Sequence, residues 1–393
     1  MLESLKMQPA DKIMALMSLY AQDKRLEKID LGVGVYKNQN GQTPIMAAVK
    51  EAEEKLLENQ SSKSYVGLLG SLNFVDSMIK LTIGQSVLAD RVCGAQAPGG
   101  TGALHQLFLL LRVANPSVKV WVSNPSWPNH NAILKHLRIE SKSYRYFDET
   151  TCTVSFDSMI EDLKYANSGD VLLLHGCCHN PTGANLDREQ WNQVTNLCLK
   201  KRLLPLVDIA YQGFGEGLDE DAYGLREMAS RVPEMMVGAS CSKNFGIYRD
   251  RVGVAIVIGE NKSSKLLAED NLKSLNRLTY SFPPDHGASV VDSILRETDV
   301  YDRWSSELDG MRTGMLELRS GLAKALKRET NSSRFDFIET HRGMFSRLGL
   351  GHEQVVRLRE NFGIYMVSDS RINIAGLQKT QLDFLASAIA TVL

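Results

Sequence analysis

The stretch MMVGASCSKNFGIYRDRVGVAIVI, residues 235–258, indicates the type of sheet in the protein and raises the question of function. Its two ends, residues 235–239 and 254–258, are continuous apolar runs, which is typical of strands buried on both faces of a sheet. Between them lie two serines and the basic residues Lys243, Arg249 and Arg251. The sequence therefore places a lysine in a polar connection at one edge of a buried sheet.

Residues 90–260 alternate short apolar strands with helical patterns. Strands are predicted at residues 118–122, 171–174 and 203–207, and a helix over residues 187–202 separates the last two. Such alternation indicates a parallel sheet covered by helices on both faces. Apolar residues from Val300 to Leu326 recur at steps of three and four, which predicts one long amphipathic helix. The strand-like KIDLGVGVY, residues 28–36, is expected to pack with the C-terminal part.

Composition and charge exclude several classes of protein. The 45 basic and 46 acidic residues give a net charge of −1, which argues against nucleic acid or an anionic membrane as the main partner. No secretory or membrane-spanning segment is visible in the sequence. The six cysteines are scattered, with no CxxC or Cys/His zinc spacing, so the sequence predicts reduced thiols, a cytoplasmic location and no metal site.

Polar sequences follow the predicted strands, and the carboxyl ends of parallel strands meet at one edge of a sheet. HGCCHNPTG (residues 175–183) and DIAYQG (residues 208–213) follow two strands, and PGGTGAL (residues 98–104) brings glycines to a helix start. Taken singly, these are a turn, a cap and a glycine turn that fits neither nucleotide-binding motif. Together, a phosphate loop, Asp208, Tyr211 and Lys243 are the parts that pyridoxal phosphate chemistry needs.

The chemical reasons are specific. A lysine that bonds to the cofactor aldehyde must be partly desolvated to react as a free amine. A carboxylate facing the pyridine nitrogen keeps it protonated, so that the ring can accept electrons. A rival motif, Ser240-x-x-Lys243, also occurs in penicillin-binding serine acyltransferases, but the S-D-N and K-T-G motifs that those enzymes need are missing from the sequence.

The motifs together resemble the aspartate and aromatic-amino-acid aminotransferases of the class I, fold-type I pyridoxal phosphate enzymes, over essentially the whole chain. The segments that carry the resemblance are SCSKNFGIYRDRVG, CCHNPTGANL, DIAYQGFGEGL, PGGTGAL, SNPSWPNH and SRINIAG. The resemblance implies an α/β fold with a mostly parallel seven-stranded sheet in a large domain, residues 46–310. A smaller α+β domain is expected from residues 13–45 and 311–393, with an N-terminal arm at residues 1–12.

The resemblance also implies roles for the residues around the cofactor. Lys243 would bond to the cofactor and move a proton, Asp208 would pair with the pyridine nitrogen, and His130 would support Asp208. Tyr211 and Asn180 would bind the cofactor's phenolic oxygen. The residues expected to act in catalysis are Lys243, Asp208, Tyr211 and Trp127, the last stacked on the ring.

The phosphate is assigned by resemblance to Gly100, Thr101, Ser240 and Arg251. Tyr65 would reach it from the neighbouring subunit, so a homodimer with shared active sites is expected.

The substrate would be held by five residues. By resemblance, Arg371 binds the α-carboxylate with a backbone contact from Gly34, while Trp127 and Asn180 line the same site. A forked guanidinium binds a carboxylate bidentately, which a lysine cannot do. Arg277 would cross from the other subunit to the distal carboxylate of aspartate or glutamate.

The motifs disagree on substrate preference. Phe282 stands where the aspartate enzymes usually have asparagine, and LNRLTYSFPP is similar to a bacterial aromatic branch that keeps Arg277. We therefore expect an enzyme that uses tyrosine, phenylalanine and tryptophan as well as aspartate, with 2-oxoglutarate as acceptor. An aspartate aminotransferase with little aromatic activity is the alternative. A further alternative is a non-catalytic protein of the same fold, with a binding or regulatory role.

Overall fold

The computed structural model describes residues 1–7 and 12–393. Its strands are β1 (Ile29–Asp30), β2 (Val92–Pro98), β3 (Lys119–Asn124), β4 (Glu140–Arg145), β5 (Phe147–Asp148), β6 (Thr153–Val154), β7 (Val171–His175), β8 (Leu204–Ile209), β9 (Met235–Ser240), β10 (Val252–Ile258), β11 (Phe345–Arg347), β12 (Ile364–Tyr365) and β13 (Arg371–Asn373). Its α-helices are α1 (Lys12–Gln22), α2 (Ala47–Asn59), α3 (Leu72–Thr82), α4 (Gly99–Ala114), α5 (Pro128–His136), α6 (Phe156–Leu163), α7 (Arg188–Lys201), α8 (Leu218–Asp221), α9 (Tyr223–Arg231), α10 (Lys262–Thr279), α11 (His286–Arg296), α12 (Thr298–Thr330), α13 (Phe337–Thr340), α14 (His352–Phe362) and α15 (Leu382–Val392).

The main sheet has seven strands in the order β2-β10-β9-β8-β7-β3-β4. β10 pairs antiparallel with both its neighbours, and the other pairings are parallel. Every residue of β9 and β10 is buried, because helices cover both faces of the sheet. The α/β fold with a mostly parallel sheet is therefore confirmed, and the two apolar runs of residues 235–258 are its adjacent strands.

Register brings the polar strand ends together. His175 at the end of β7 lies opposite Asp208 in β8, and Ile209 of β8 lies opposite Ala239 of β9. The connections that follow these strands therefore leave the sheet at one edge, as parallel pairing requires. The turn that carries Lys243 follows β9 directly.

A second, smaller core lies away from the sheet. β1 pairs with β12 through Ile29 and Ile364, so the KIDLGVGVY segment does pack with the C-terminal part. Helix α12 joins the two cores: Trp304 near its start is buried in the sheet core, and Leu322 near its end is buried in the smaller one. The long amphipathic helix predicted from residue 300 onward is thus confirmed.

The described part of the chain contains no helix long and apolar enough to cross a membrane.

Candidate active site

One cavity at the carboxyl ends of β7, β8 and β9 collects most of the predicted site residues. Those that line it are Gly100, Thr101, Trp127, Asn180, Asp208, Tyr211, Ser240, Lys243 and Arg251. They come from five separate stretches of sequence, and the sheet edge is what brings them together.

The start of helix α4 forms a cradle that requires glycine. Gly99 has a φ of +75°, and a Cβ there would lie 2.5 Å from Nη2 of Arg251. A Cβ on Gly100 would lie 3.0 Å from the Cβ of Ser240. The first backbone N–H groups of a helix have no partner within the helix, and the helix dipole favours an anion there. With the Arg251 guanidinium beside it, this cradle fits a phosphate group.

Lys243 is held in the state that a reactive amine needs. Burial lowers its pKa to about 8, with Asp208 acting against the shift and Arg251 adding to it. Its Nζ lies 5.0 Å from the centre of the Tyr211 ring. At pH 7 about a tenth of Lys243 is therefore neutral amine, whereas less than about a thousandth of an ordinary lysine is.

Asp208 is buried and paired with a histidine. Its Oδ2 lies 2.9 Å from Nε2 of His130, which is on helix α5. Burial acts to raise the pKa of Asp208, but the His130 hydrogen bond and the charges of His130 and Lys243 outweigh it, so that the pKa is lowered. The carboxylate is therefore ionised and suited to hold a cationic ring nitrogen.

A hydrogen-bonded chain continues behind Asp208, and the sequence analysis missed it. Oγ of Ser126 lies 2.9 Å from Nδ1 of His130 and 3.2 Å from Nε2 of His175. Burial, together with the charge of His130, lowers the pKa of His175 to about 3, against the effect of Asp208. His175 thus stays neutral and keeps His130 in place. HGCCHNPTG and SNPSWPNH contain these residues, but their spacing gives no sign that the two segments meet.

Tyr211 and Asn180 face each other across the cavity. Nδ2 of Asn180 donates to Oη of Tyr211 at 3.4 Å, and burial raises the pKa of the phenol. Oδ1 of Asn180 is buried and has no hydrogen-bond partner among the described residues. The ring of Trp127 stands edge-on to His130, with centroids 5.2 Å apart.

Arg371 lies beside this cavity, on β13. Its Nη2 donates to the Gly32 carbonyl at 2.7 Å, and its Cζ lies 4.4 Å from the centre of the Phe345 ring. The Phe345 ring also stands edge-on to Tyr211 and approaches Gly34, where a Cβ would come within 2.9 Å of it. Phe345 thus packs between Arg371 and Gly34 on one side and Tyr211 of the cavity on the other. The sequence analysis assigned no role to Phe345. Nε of Arg371 is buried without a partner among the described residues.

Two predicted residues lie elsewhere. Tyr65 is 84% exposed and stacks on Phe282, with ring centroids 4.8 Å apart. Arg277 has its Cζ 5.6 Å from the centre of the same Phe282 ring, and it donates to Ser281. Within one chain, these residues form a separate surface cluster and do not line the cavity.

The residues of the cavity fit pyridoxal phosphate. The glycine cradle with Arg251 suits the phosphate, Asp208 suits the ring nitrogen, and Lys243 suits the aldehyde. The partnerless buried oxygen of Asn180 is where a further polar group would be expected, because buried polar atoms are rarely left without a partner.

Comparison with known proteins agrees with this geometry. Residues 27–389 match the family model described as aminotransferase class I and II. The chain is 50% identical to the aromatic-amino-acid aminotransferase of Paracoccus denitrificans and 43% identical to the aspartate aminotransferase of Escherichia coli K12, over 100% of both chains in each case. The structure of the aromatic-amino-acid aminotransferase of Burkholderia pseudomallei, covalently bound to pyridoxal phosphate, is similar with a TM-score of 0.98 at 40% identity, covering 100% of this chain and 99% of that one.

Family membership accounts for the lysine, the carboxylate and the glycine cradle in one cavity, since enzymes of this family depend on pyridoxal phosphate. The chain belongs to the class I and II aminotransferases.

Proposed function

We propose that this aminotransferase moves the α-amino group of tyrosine, phenylalanine, tryptophan and aspartate to 2-oxoglutarate in a ping-pong reaction. The observation that carries the proposal is Lys243, with its pKa lowered to about 8, in the same cavity as the ionised Asp208. An aspartate aminotransferase with little aromatic activity is the alternative. A non-catalytic role is disfavoured, because the lowered pKa of Lys243 leaves part of this amine neutral and able to react.

The cofactor would be held by the residues that line the cavity. Gly100, Thr101, Ser240 and Arg251 would bind its phosphate, and Tyr65 of a second subunit would reach the same group. When bound, pyridoxal phosphate supplies an aldehyde that bonds to amines and a ring that accepts electrons from the substrate Cα.

The remaining chemistry is proton handling by the protein. Asp208, supported by His130, would keep the proton on the pyridine nitrogen. Tyr211 and Asn180 would hydrogen-bond to the phenolic oxygen, and Trp127 would cover the ring face. Lys243, as a neutral amine, would take the proton from the substrate Cα.

Arg371 would bind the α-carboxylate. It has a free Nε, one Nη already fixed on the Gly32 carbonyl, and an aromatic ring packed against its guanidinium. Burial lowers the pKa of Arg371, because a buried cation loses its hydration, and the charges of Tyr211 and Asp369 oppose that shift. Gly34 would offer its backbone to the same carboxylate.

Dual specificity requires that Arg277 be able to move away when the bound substrate carries an aromatic ring in place of a distal carboxylate. An unpaired cation left facing an apolar ring is unfavourable, so Arg277 needs a second resting place. Phe282 provides one, since a guanidinium over an aromatic face is attracted to it.

The same cluster supports a homodimer, which we propose as well. Tyr65 and Arg277 are assigned to the site of a second subunit, and the apolar Leu278 beside them is 79% exposed in a single chain. A large exposed apolar side chain next to two such residues suits a subunit interface.

The domain division is proposed as residues 46–310 against 13–45 with 311–393, supported by the change of core along α12. Of the arm proposed at residues 1–12, residues 8–11 lie outside the described residues. We also propose a cytoplasmic location, since all six cysteines are buried free thiols.

The test is an absorbance spectrum of the holoenzyme, followed by separate additions of aspartate and phenylalanine without any keto acid. Conversion of the aldehyde-form band to the amine-form band by both amino acids supports dual specificity. Conversion by aspartate alone selects the alternative enzyme. A protein that shows no cofactor band after addition of pyridoxal phosphate would overturn the assignment of Lys243.

A further inference from the structure

A second group of reactive side chains lies behind the catalytic cavity and takes no part in the proposed function. Cys177, Cys178 and Asp221 each offer one ligand atom, and these atoms lie within 4.8 Å of one another. All three residues are buried, with Cys177 and Asp221 each 7% exposed. Two sulfurs and a carboxylate oxygen are a ligand set that suits a four-coordinate thiophilic ion, whose bonds of about 2.0–2.3 Å would draw these atoms to about 3.3–3.8 Å from one another.

The fold brings these groups together from two connections. The two cysteines follow β7, and Cys178 has a φ of +50°. Asp221 ends helix α8, and its carboxylate turns back onto the connection that follows β8. Cys178 also reaches this connection, with its Sγ 4.0 Å from the carbonyl oxygen of Tyr211.

Asp221 retains capacity for one more ligand. Its Oδ2 accepts from the backbone N–H groups of Gly213 and Gly215, both at 2.8 Å, and its Oδ1 accepts from Glu216 at 2.9 Å. Burial raises the pKa of Asp221, and these three bonds act against that rise. Each carboxylate oxygen has two lone pairs, so Oδ1 has one left for a cation.

The surroundings of Cys178 include a buried cation, Arg319. Arg319 is 1% exposed, and its guanidinium donates to neutral oxygens, among them the Gly343 carbonyl at 2.7 Å. Gly343 packs against Cys178, since a Cβ on that glycine would lie 2.8 Å from Sγ. Burial and the charge of Asp221 raise the pKa of Cys178, and the hydrogen bond from Cys177 with the charges of Arg319 and Arg342 only limits that rise. The hydrogen bond to Cys178 and burial raise the pKa of Cys177 well above its ordinary value, so both thiols carry their protons until a metal displaces them.

Access comes from a second cavity of about 500 Å³. Cys177 and Asp221 line it, and His175 lines both this cavity and the catalytic one. A metal held by three protein ligands would therefore have its fourth position open towards this cavity, where water can enter.

We propose that Cys177, Cys178 and Asp221 form a binding site for one thiophilic divalent cation, of the Zn²⁺ or Cd²⁺ class. On binding, the two thiols become thiolate ligands and release two protons to solvent, while the carboxylate binds as it stands. The sequence predicted no metal site, because Asp221 is distant from the two cysteines along the chain and only the fold joins them.

The site is tested with Cd²⁺ added to holoenzyme that has been freed of chelators. Ultraviolet absorbance reports cadmium–thiolate bonds, and equilibrium dialysis reports the number of ions bound. We expect one Cd²⁺ per chain with thiolate charge-transfer absorbance, and about two protons released per ion in weakly buffered solution.

Cys177→Ala should weaken Cd²⁺ binding by at least about tenfold and reduce the charge-transfer band, since one of two thiolates is lost. Cys177→Ser keeps the side-chain size and should behave alike, which covers the case in which the alanine variant folds poorly. Cys198→Ala is the matched control, because Cys198 is equally buried but lies on helix α7; its binding should equal that of the parent. The proposal is wrong if Cd²⁺ binds without thiolate absorbance, binds equally to the Cys177 variants, or does not bind.

Discussion

The cavity around Lys243 and the surface cluster of Arg277, Phe282 and Tyr65 differ in how they are held. Lys243 and Asp208 lie at the edge of a rigid sheet, with Asp208 fixed by His130. Arg277, at the end of helix α10, is exposed and is held by Ser281 and an aromatic ring. The residues for proton chemistry are therefore fixed within one chain, whereas Arg277, which we propose selects the distal substrate group from a second chain, is an exposed side chain with few contacts.

The largest expected effect is that of Lys243→Ala. Loss of the amine removes both the covalent attachment and the proton transfer, so kcat with aspartate should fall by at least about 10³-fold. Stopped-flow absorbance with excess pyridoxal phosphate measures it. Lys142→Ala, at an exposed position on β4, is the control and should keep full activity. An active Lys243→Ala enzyme would mean that Lys243 is not the catalytic amine.

Arg277→Ala separates the two regions. The variant loses a charged pair with the distal carboxylate but keeps the α-carboxylate site, so kcat/KM for aspartate should fall by about 10- to 150-fold. Activity with phenylalanine, measured as half-reaction rates in the same preparation, should change by less than about threefold. Arg328→Ala, at an exposed position on α12, serves as the control. Equal losses for both substrates would mean that Arg277 supports the fold instead of the substrate.

The pH dependence of cofactor capture probes the cavity alone. Burial lowers the pKa of Lys243 to about 8, so the reactive neutral amine increases with pH up to that value. Below pH 8, the rate at which cofactor-free enzyme recovers its covalent absorbance band should rise about tenfold per pH unit and then level off. A rate still rising at pH 9.5 would indicate an ordinary lysine instead.

The smallest effect concerns Phe282. Phe282→Asn removes the ring under Arg277 and the stack on Tyr65. An exposed cation–π contact contributes about 0.5–1 kcal/mol, so the ratio of phenylalanine to aspartate activity should fall by about two- to fivefold. Phe384→Asn, on helix α15, is the matched control for loss of a partly exposed phenylalanine. An unchanged ratio would mean that Phe282 only packs at the surface.

Much of the fold could be predicted from the sequence, because strands buried on both faces carry continuous apolar runs. The pattern at residues 171–174 and 235–239 needs no knowledge of tertiary contacts, and the strands were found within one or two residues of those bounds. The same pattern placed Asp208 and Lys243 at strand ends, where a parallel sheet binds ligands.

Other parts of the site depend on contacts between distant segments. Ser126 and His175 join the hydrogen bonds behind Asp208 because β3 and β7 are neighbours in the sheet. Neither sequence segment by itself indicates that these strands are neighbours. Phe345 and Arg371 lie on the paired strands β11 and β13, but Phe345 reaches Tyr211 only where these strands pack against the core of the main sheet. The roles of Arg277 and Arg371 came from family resemblance, and without it both would have been interpreted as ordinary surface charges.

We propose that one chain supplies the residues for proton chemistry and that the other chain selects the distal substrate group. The most direct test co-expresses Lys243→Ala and Arg277→Ala chains with different affinity tags and isolates the mixed dimer. One of its two sites would then hold Lys243 from one chain and Arg277 from the other, so aspartate activity should return to about half of the parent value. A mixed dimer that is as inactive towards aspartate as the Lys243→Ala and Arg277→Ala homodimers would contradict this proposal.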